Sequence, residues 1–272
     1  MTFPGDKASV GMDRDRPSGG LLYGLYAHAA FWGTALFIWL AALALPSTGL
    51  RWRLMRRAIG VLVNMTGIRV RVHGLNHLPA QGQRCILVAN HASYLDNPLL
   101  IHALPRSFSF VAKAELRANP AIRLFLRRIG TEFIERRNAR VAARDLRALS
   151  ALSRQGRSLL FFPEGTIRRD TGLLPFRMGA FITAAGEDIP VVPIAIRGSR
   201  SLFADGDRWP RRGEVNVTVG RPLYPRDFGA AAGADTRQTA QALRDAARAA
   251  ILEHCGEAPV QAHAGRAASS AR

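Results

Sequence analysis

Cys85-Ile86-Leu87-Val88-Ala89 runs directly into Asn90-His91-Ala92-Ser93-Tyr94-Leu95-Asp96-Asn97-Pro98. The apolar run predicts a buried strand. Leu99-Leu100-Ile101-His102-Ala103-Leu104 follows and predicts a helix, with Asn97 suited to its N-cap and Pro98 to its first turn. His91 then belongs on the loop at the carboxyl end of a strand, with Asp96 just before a helix. In α/β sheets, ligands bind at that edge. On one continuous helix, five residues turn by about 500°, which would leave His91 and Asp96 roughly 140° apart. The pair can meet only if the loop folds back before the helix begins. A carboxylate on one imidazole nitrogen fixes the tautomer and leaves the other nitrogen to take a proton from a hydroxyl. By itself the spacing is equally compatible with a structural histidine and a capping aspartate.

Working outward, the same alternation recurs. Residues 68–72, 108–112, 132–136, 158–162, 190–196 and 215–219 read as strands. Residues 120–126, 139–154 and 236–253 read as helices, with Asn119-Pro120 marking one start. Strands alternating with helices predict an α/β fold, a mainly parallel, mixed sheet flanked by helices. Ahead of it, Leu21 to Leu45 is overwhelmingly apolar and as long as a bilayer span, which takes about 20 residues. Arg51, Arg53, Arg56 and Arg57 follow within an amphipathic stretch, suited to lipid phosphates and to a cytoplasmic face. A true span and a hairpin dipping into one leaflet both fit. The expected organisation is a disordered tail at 1–20, a membrane-associating helical segment at 21–67, a catalytic domain at 68–254 and a disordered tail at 255–272.

Composition narrows the partners. The net charge is +18, carried almost wholly by arginine, and such a balance favours polyanions: nucleic acid, anionic lipid or phosphorylated substrates. Nothing resembles a helix-turn-helix, an aromatic RNA-binding signature or a zinc spacing, so no nucleic-acid partner is expected. Cys85 and Cys255 form neither a metal-ligand pattern nor a disulfide framework. No Gly-x-Ser-x-Gly elbow is present, which argues against a hydrolase of that type.

A second constellation, Phe161-Phe162-Pro163-Glu164-Gly165-Thr166, also follows a buried strand. Two polar loops at one sheet edge can face one pocket. Gly165 permits close backbone approach, Thr166 offers a hydroxyl, and Arg168 and Arg169 offer charge for a phosphate. A plain turn with a capping Glu164 would look the same. Together the two motifs are more specific, and the chain resembles the glycerolipid acyltransferases, best known as 1-acylglycerol-3-phosphate acyltransferases. Residues 90–96 look like that family's first motif. Gly130-Thr131-Glu132-Phe133-Ile134-Glu135-Arg136 is similar to its second. Phe162-Pro163-Glu164-Gly165-Thr166 matches the core of its third, and Val191-Val192-Pro193-Ile194 is similar to its fourth. Residues 176–181 fit the region between the last two. Two positions depart: Ile167 stands where an arginine usually follows the threonine, and Glu135 is uncommon in the second motif.

The resemblance implies fatty acyl transfer from acyl-CoA or acyl carrier protein to the hydroxyl of a lysolipid, 1-acylglycerol-3-phosphate first among them. It implies His91 as general base and Asp96 as its orienting partner. It also implies Arg136 as the acceptor-phosphate contact, with Glu164, Gly165, Thr166 and Arg168 shaping that pocket. Another lysolipid acceptor, or a non-catalytic lipid-binding protein, are the alternatives. No metal or bound cofactor is implied, because the thioester is a substrate. Lysolipid and product stay in the bilayer while the donors are cytosolic, so the active site is expected at the cytoplasmic face of the inner membrane.

Overall fold

This computed structural model describes residues 20–80, 82–135, 138–229 and 235–260. Most of the two expected tails lies outside the described residues, and so does Arg136. In chain order the helices and strands are α1 (Gly20–Ala44), α2 (Thr48–Thr66), β1 (Arg69–His73), β2 (Ile86–Ala89), α3 (Asp96–Ala103), β3 (Ser109–Lys113), α4 (Pro120–Arg128) and β4 (Glu132–Ile134). Then come α5 (Ala139–Arg154), β5 (Leu159–Phe161), α6 (Gly179–Gly186), β6 (Val191–Arg197), α7 (Ser199–Leu202), β7 (Glu214–Val219) and α8 (Thr236–Cys255).

The strands form one mixed sheet in the order β1-β7-β6-β2-β5-β3-β4. Strands β6, β2, β5, β3 and β4 run parallel to one another. β7 runs antiparallel to β6, and β1 parallel to β7. Both faces are covered, and β2 shows why its residues are uniformly apolar. Leu87 and Ala89 enter the core beneath α1, α2 and α3. Ile86 and Val88 enter the opposite core, beneath α5, α6 and α8. This is the period of two expected of a strand buried on both sides. β6 divides likewise, with Val192, Ile194 and Ile196 on one side and Val191 and Ala195 on the other.

Two boundaries differ from the sequence expectation. Helix α3 starts at Asp96, ahead of Asn97, which places Pro98 inside the first turn. Proline is tolerated there because the first N–H groups of a helix have no intrahelical partner. The domain also continues past 254: Leu173 bridges Pro259, and Glu257 accepts from the Gly172 amide at 2.5 Å. The polar composition of that stretch masks this anchoring. Helix α6 carries no amphipathic signal, because Ala180, Phe181, Thr183 and Ala184 are all buried.

Helix α1 is long and apolar enough to cross a membrane. One side of it is docked along the domain. The Tyr23 hydroxyl donates to Thr66 O at 3.0 Å near its start, and Trp39 Nε1 donates to Ala121 O at 3.4 Å near its end. Gly24 makes this docking possible, since a Cβ there would lie 2.6 Å from the Trp209 ring. The other side leaves Leu22, Leu25, Trp32, Leu36, Phe37 and Leu40 exposed. At the far end, Arg51 is buried and donates to Leu45 O, Pro46 O and Arg128 O. It thus meets carbonyls of the α1–α2 turn, where Leu45 O also accepts from Arg128 Nη2 at 3.1 Å.

Substituting Arg51→Met should remove these donors and cost about 2–4 kcal/mol. Chemical unfolding of the detergent-solubilised chain followed by tryptophan fluorescence would show it as a lower midpoint, with the α1–α2 corner cut first in limited proteolysis.

Candidate active site

The site begins with a buried charge. Asp96 is fully buried at the amino end of α3. Its carboxylate turns back over the preceding loop. Oδ2 accepts from the Ala92 amide at 2.8 Å, the Ser93 amide at 2.9 Å and His91 Nδ1 at 3.0 Å. The loop that the sequence requires to fold back therefore does so around one oxygen. Ser93 serves the turn: its hydroxyl donates to Phe203 O at 2.5 Å and accepts from the Leu95 amide at 3.1 Å. It is bound up in structure and has no nucleophilic geometry. With Nδ1–H donated to Asp96, His91 carries its lone pair on Nε2. The imidazole lies nearly flat on Phe162, ring centroids 3.9 Å apart and planes 17° from parallel. Its side chain is 13% exposed, so it is reachable from solvent while its partner is not.

The second loop clamps the first. Glu164 is buried, with Oε1 accepting from the His91 amide at 2.7 Å and Oε2 from the Leu174 amide at 2.9 Å. The turn around it needs Gly165, whose φ of +78° lies where side chains are strained. Burial pushes the Glu164 carboxyl up to about 7; the two amide donors and nearby Arg200 only partly oppose that, and Asp96 adds to it. Arg200 in turn is held by Glu257, Nε to Oε1 at 2.6 Å.

The sequence-derived residues thus separate. His91, Asp96 and Glu164 come together at the carboxyl ends of β2 and β5. Gly165 and Thr166 lie in the same loop, and the Thr166 hydroxyl donates to Ile167 O at 3.2 Å. Glu164 acts here on backbone amides, whereas the resemblance implies a part in the substrate pocket. Arg168 is exposed, and its carbonyl accepts from Arg200. Arg136 lies outside the described residues. Sequence reasoning assigns no role to Asn90, Phe162, Arg200 or Glu257. Asn90 pairs with Ile196 in both directions, Nδ2 to O at 2.9 Å and Oδ1 from N at 2.7 Å, tying the end of β2 to β6. Its place beside His91 was a usable signal. Arg200 and Glu257 lie far along the chain from both motifs and carry none. Among the described residues no group of three or more His, Cys, Asp or Glu is placed to hold a metal ion.

Comparison with known proteins places this arrangement. The acyltransferase family matches residues 69–197, the span that holds both loops. Human 1-acyl-sn-glycerol-3-phosphate acyltransferase alpha is 31% identical over 199 residues, covering 68% of this chain and 68% of that protein. Chloroplastic 1-acyl-sn-glycerol-3-phosphate acyltransferase BAT2 of Brassica napus is 34% identical over 154 residues, 56% of this chain and 44% of that protein. The chain spans about half the length of the Brassica napus, Arabidopsis thaliana and Chlamydomonas reinhardtii relatives, at 44%, 44% and 52%. The crystal structure of the 1-acyl-sn-glycerophosphate acyltransferase PlsC from Thermotoga maritima superposes with a TM-score of 0.66 at 23% identity. That match covers 86% of this chain and 95% of that one, and establishes the fold. The class is that of the acyltransferases. Within it, this chain belongs to the family of the 1-acyl-sn-glycerol-3-phosphate acyltransferases named above.

Two outcomes follow from the geometry. Asp96→Asn exchanges an acceptor of three N–H groups for a neutral amide and should lower kcat by about 100-fold or more with KM little changed, read in steady-state assays. Glu164 titrates near pH 7, above its ordinary 4.5, so the folded state holds the proton more tightly and stability contributed by this group falls as pH rises from 4.5 to 7. The ionised form nevertheless suits the two amides. An infrared carboxylic-acid band should therefore fade through about pH 7 and be missing in Glu164→Gln, while activity in the wild type rises over the same range.

Proposed function

We propose that this chain transfers a fatty acyl group from a thioester donor, acyl-CoA or acyl carrier protein, to the free hydroxyl of 1-acylglycerol-3-phosphate, giving phosphatidate. The observation that carries the reading is His91 Nδ1 held at 3.0 Å from a fully buried Asp96, with Nε2 left to accept a proton. In this mechanism the acceptor hydroxyl gives its proton to Nε2 as its oxygen attacks the thioester carbonyl. The carbon–sulfur bond breaks, and the imidazolium returns the proton to the departing thiolate. Asp96 stabilises the cation between those steps. A positioned base of this kind contributes on the order of 10² to 10⁴ in rate. No covalent acyl-enzyme is required.

The names of the relatives support lysophosphatidate as acceptor. Arg136 is the sequence's candidate for its phosphate, and Thr166 and Arg168 are further candidates from the third motif. Ile167, in place of the usual arginine, favours one second reading: an acceptor lysolipid with a different headgroup.

The exposed apolar side of α1 supports a membrane-associated enzyme. Because the opposite side is docked along the domain at both ends, α1 is read as lying in one leaflet, with the catalytic loops beside the interface. Soluble thioester donors place that leaflet on the cytoplasmic side.

The test is acyl transfer by purified membranes given lysophosphatidate with oleoyl-CoA and, separately, with acylated carrier protein. Phosphatidate should form with the wild type and fall to background in His91→Ala. Product from another lysolipid but none from lysophosphatidate would transfer the assignment to that acceptor. No product from any lysolipid would overturn the reading.

A further inference from the structure

Edge strand β4 has one strand neighbour among the described residues, β3. Its outer side forms the wall of an open, polar recess of about 910 Å³. The recess is lined by Thr48, Arg117, Arg123, Arg127, Thr131 and Arg157, together with Glu132 and Phe133 of β4. It lies away from the catalytic loops. Gly130 and Thr131 mark the amino end of β4, whereas His91 and Glu164 follow the carboxyl ends of their parallel strands. Three strand spacings, about 14 Å, also separate β4 from β2.

Charge in the recess is one-sided. Its carboxylate, Glu132, is already taken by Arg157 at 2.9 Å. Arg157 is further satisfied by Ser109 Oγ at 2.7 Å and Gly130 O at 3.0 Å. Arg117 sits over the Phe133 ring, 5.0 Å from its centroid, and reaches Phe133 O at 3.4 Å. Arg123 and Arg127 have no acceptor and no carboxylate among the described residues. They lie one helical turn apart on α4, on one face. Other arginines of this corner behave differently: Arg51 and Arg128 are consumed by backbone carbonyls. A further group is unmet. Thr131 is 4% exposed, and its hydroxyl has no hydrogen-bond partner among the described residues. Buried polar groups are normally paired. Thr48, the first residue of α2, brings an uncapped helix start to the same rim: Ser47 makes no side-chain cap bond.

The surroundings say which anion. Leu116, Ile122 and Leu124 are exposed beside the arginines, and α4 is joined to α1 through the Trp39–Ala121 bond. Exposed apolar side chains of α4 and of the turn before it therefore stand next to the recess arginines in the chain. Unpaired guanidinium groups at the edge of a lipid-facing surface sit at headgroup depth.

We propose that this recess binds the phosphate of an anionic phospholipid headgroup, at a site separate from the catalytic one. Arg123 and Arg127 make the charge-assisted contacts. The proposal rests on the reading that α1 lies in a membrane, and the two are tested apart. Flotation of the full chain on pure phosphatidylcholine vesicles reads the contribution of α1. Repeating it with about a quarter phosphatidylglycerol reads the recess.

The double variant Arg123→Gln/Arg127→Gln should float on neutral vesicles as the wild type does. It should lose most of the gain from phosphatidylglycerol, about fivefold or more. The pair Arg221→Gln/Arg237→Gln, exposed and remote from α4, should keep that gain. Acyl transfer in neutral micelles should be unaltered in both. Equal loss in the two pairs would mean diffuse surface charge and would overturn the proposal, as would a wild type indifferent to phosphatidylglycerol. Inorganic phosphate that stabilises the wild type but not the Arg123/Arg127 variant, with flotation unchanged between them, would reassign the recess to a soluble anion. Loss of transfer in neutral micelles would join it to the catalytic machinery.

Discussion

A carboxylate with no access to water is the constraint on which this structure turns. Burying Asp96 is tolerable only if the lost hydration is replaced by donors. The backbone supplies two of them, from Ala92 and Ser93, and His91 supplies the third. That demand bends the chain between β2 and α3 and sets the histidine's tautomer in the same act. The histidine–aspartate geometry is thus a by-product of paying for one buried charge.

The rest of the site steadies that loop from outside. Asn90 ties its start to β6, Phe162 supports the imidazole from below, and Glu164 holds the His91 amide. Each reaches the loop from a strand adjacent to β2 or from its own end. The clamp by Glu164 uses a carboxyl that burial would rather keep protonated. Burial and the two amide donors pull that group in opposite directions.

Arginine has two uses in this chain. Arg51 and Arg128 bind carbonyls where α1, α2 and α4 meet, Arg56 binds those of Ile101 and Arg106, and Arg106 that of Gln83 ahead of β2. Their planar forks close turns that would otherwise leave acceptors bare. Others, including Arg123 and Arg127, face outward with no acceptor among the described residues. Net charge alone cannot distinguish these uses, yet only the second kind bears on partners.

Much was legible in the sequence. The central strand runs are apolar on both faces, the Asn119-Pro120 helix start is a local signal, and the histidine, aspartate and glutamate stand in short motifs directly after strands. Such features depend on neighbours in the chain, so the chain itself states them. Tertiary structure decided what no local pattern encodes. Reversal of β7 against β6 and the edge position of β4 are set by long-range pairing. The start of α3 at Asp96 depends on the carboxylate turning back rather than forward. Arg200 and Glu257 reach the candidate site from distant segments, one of them a polar stretch read as a tail. Glu164 stood in a short motif, but its action on backbone amides could not be read there, because an acceptor's partners are chosen by the fold and not by its neighbours in sequence.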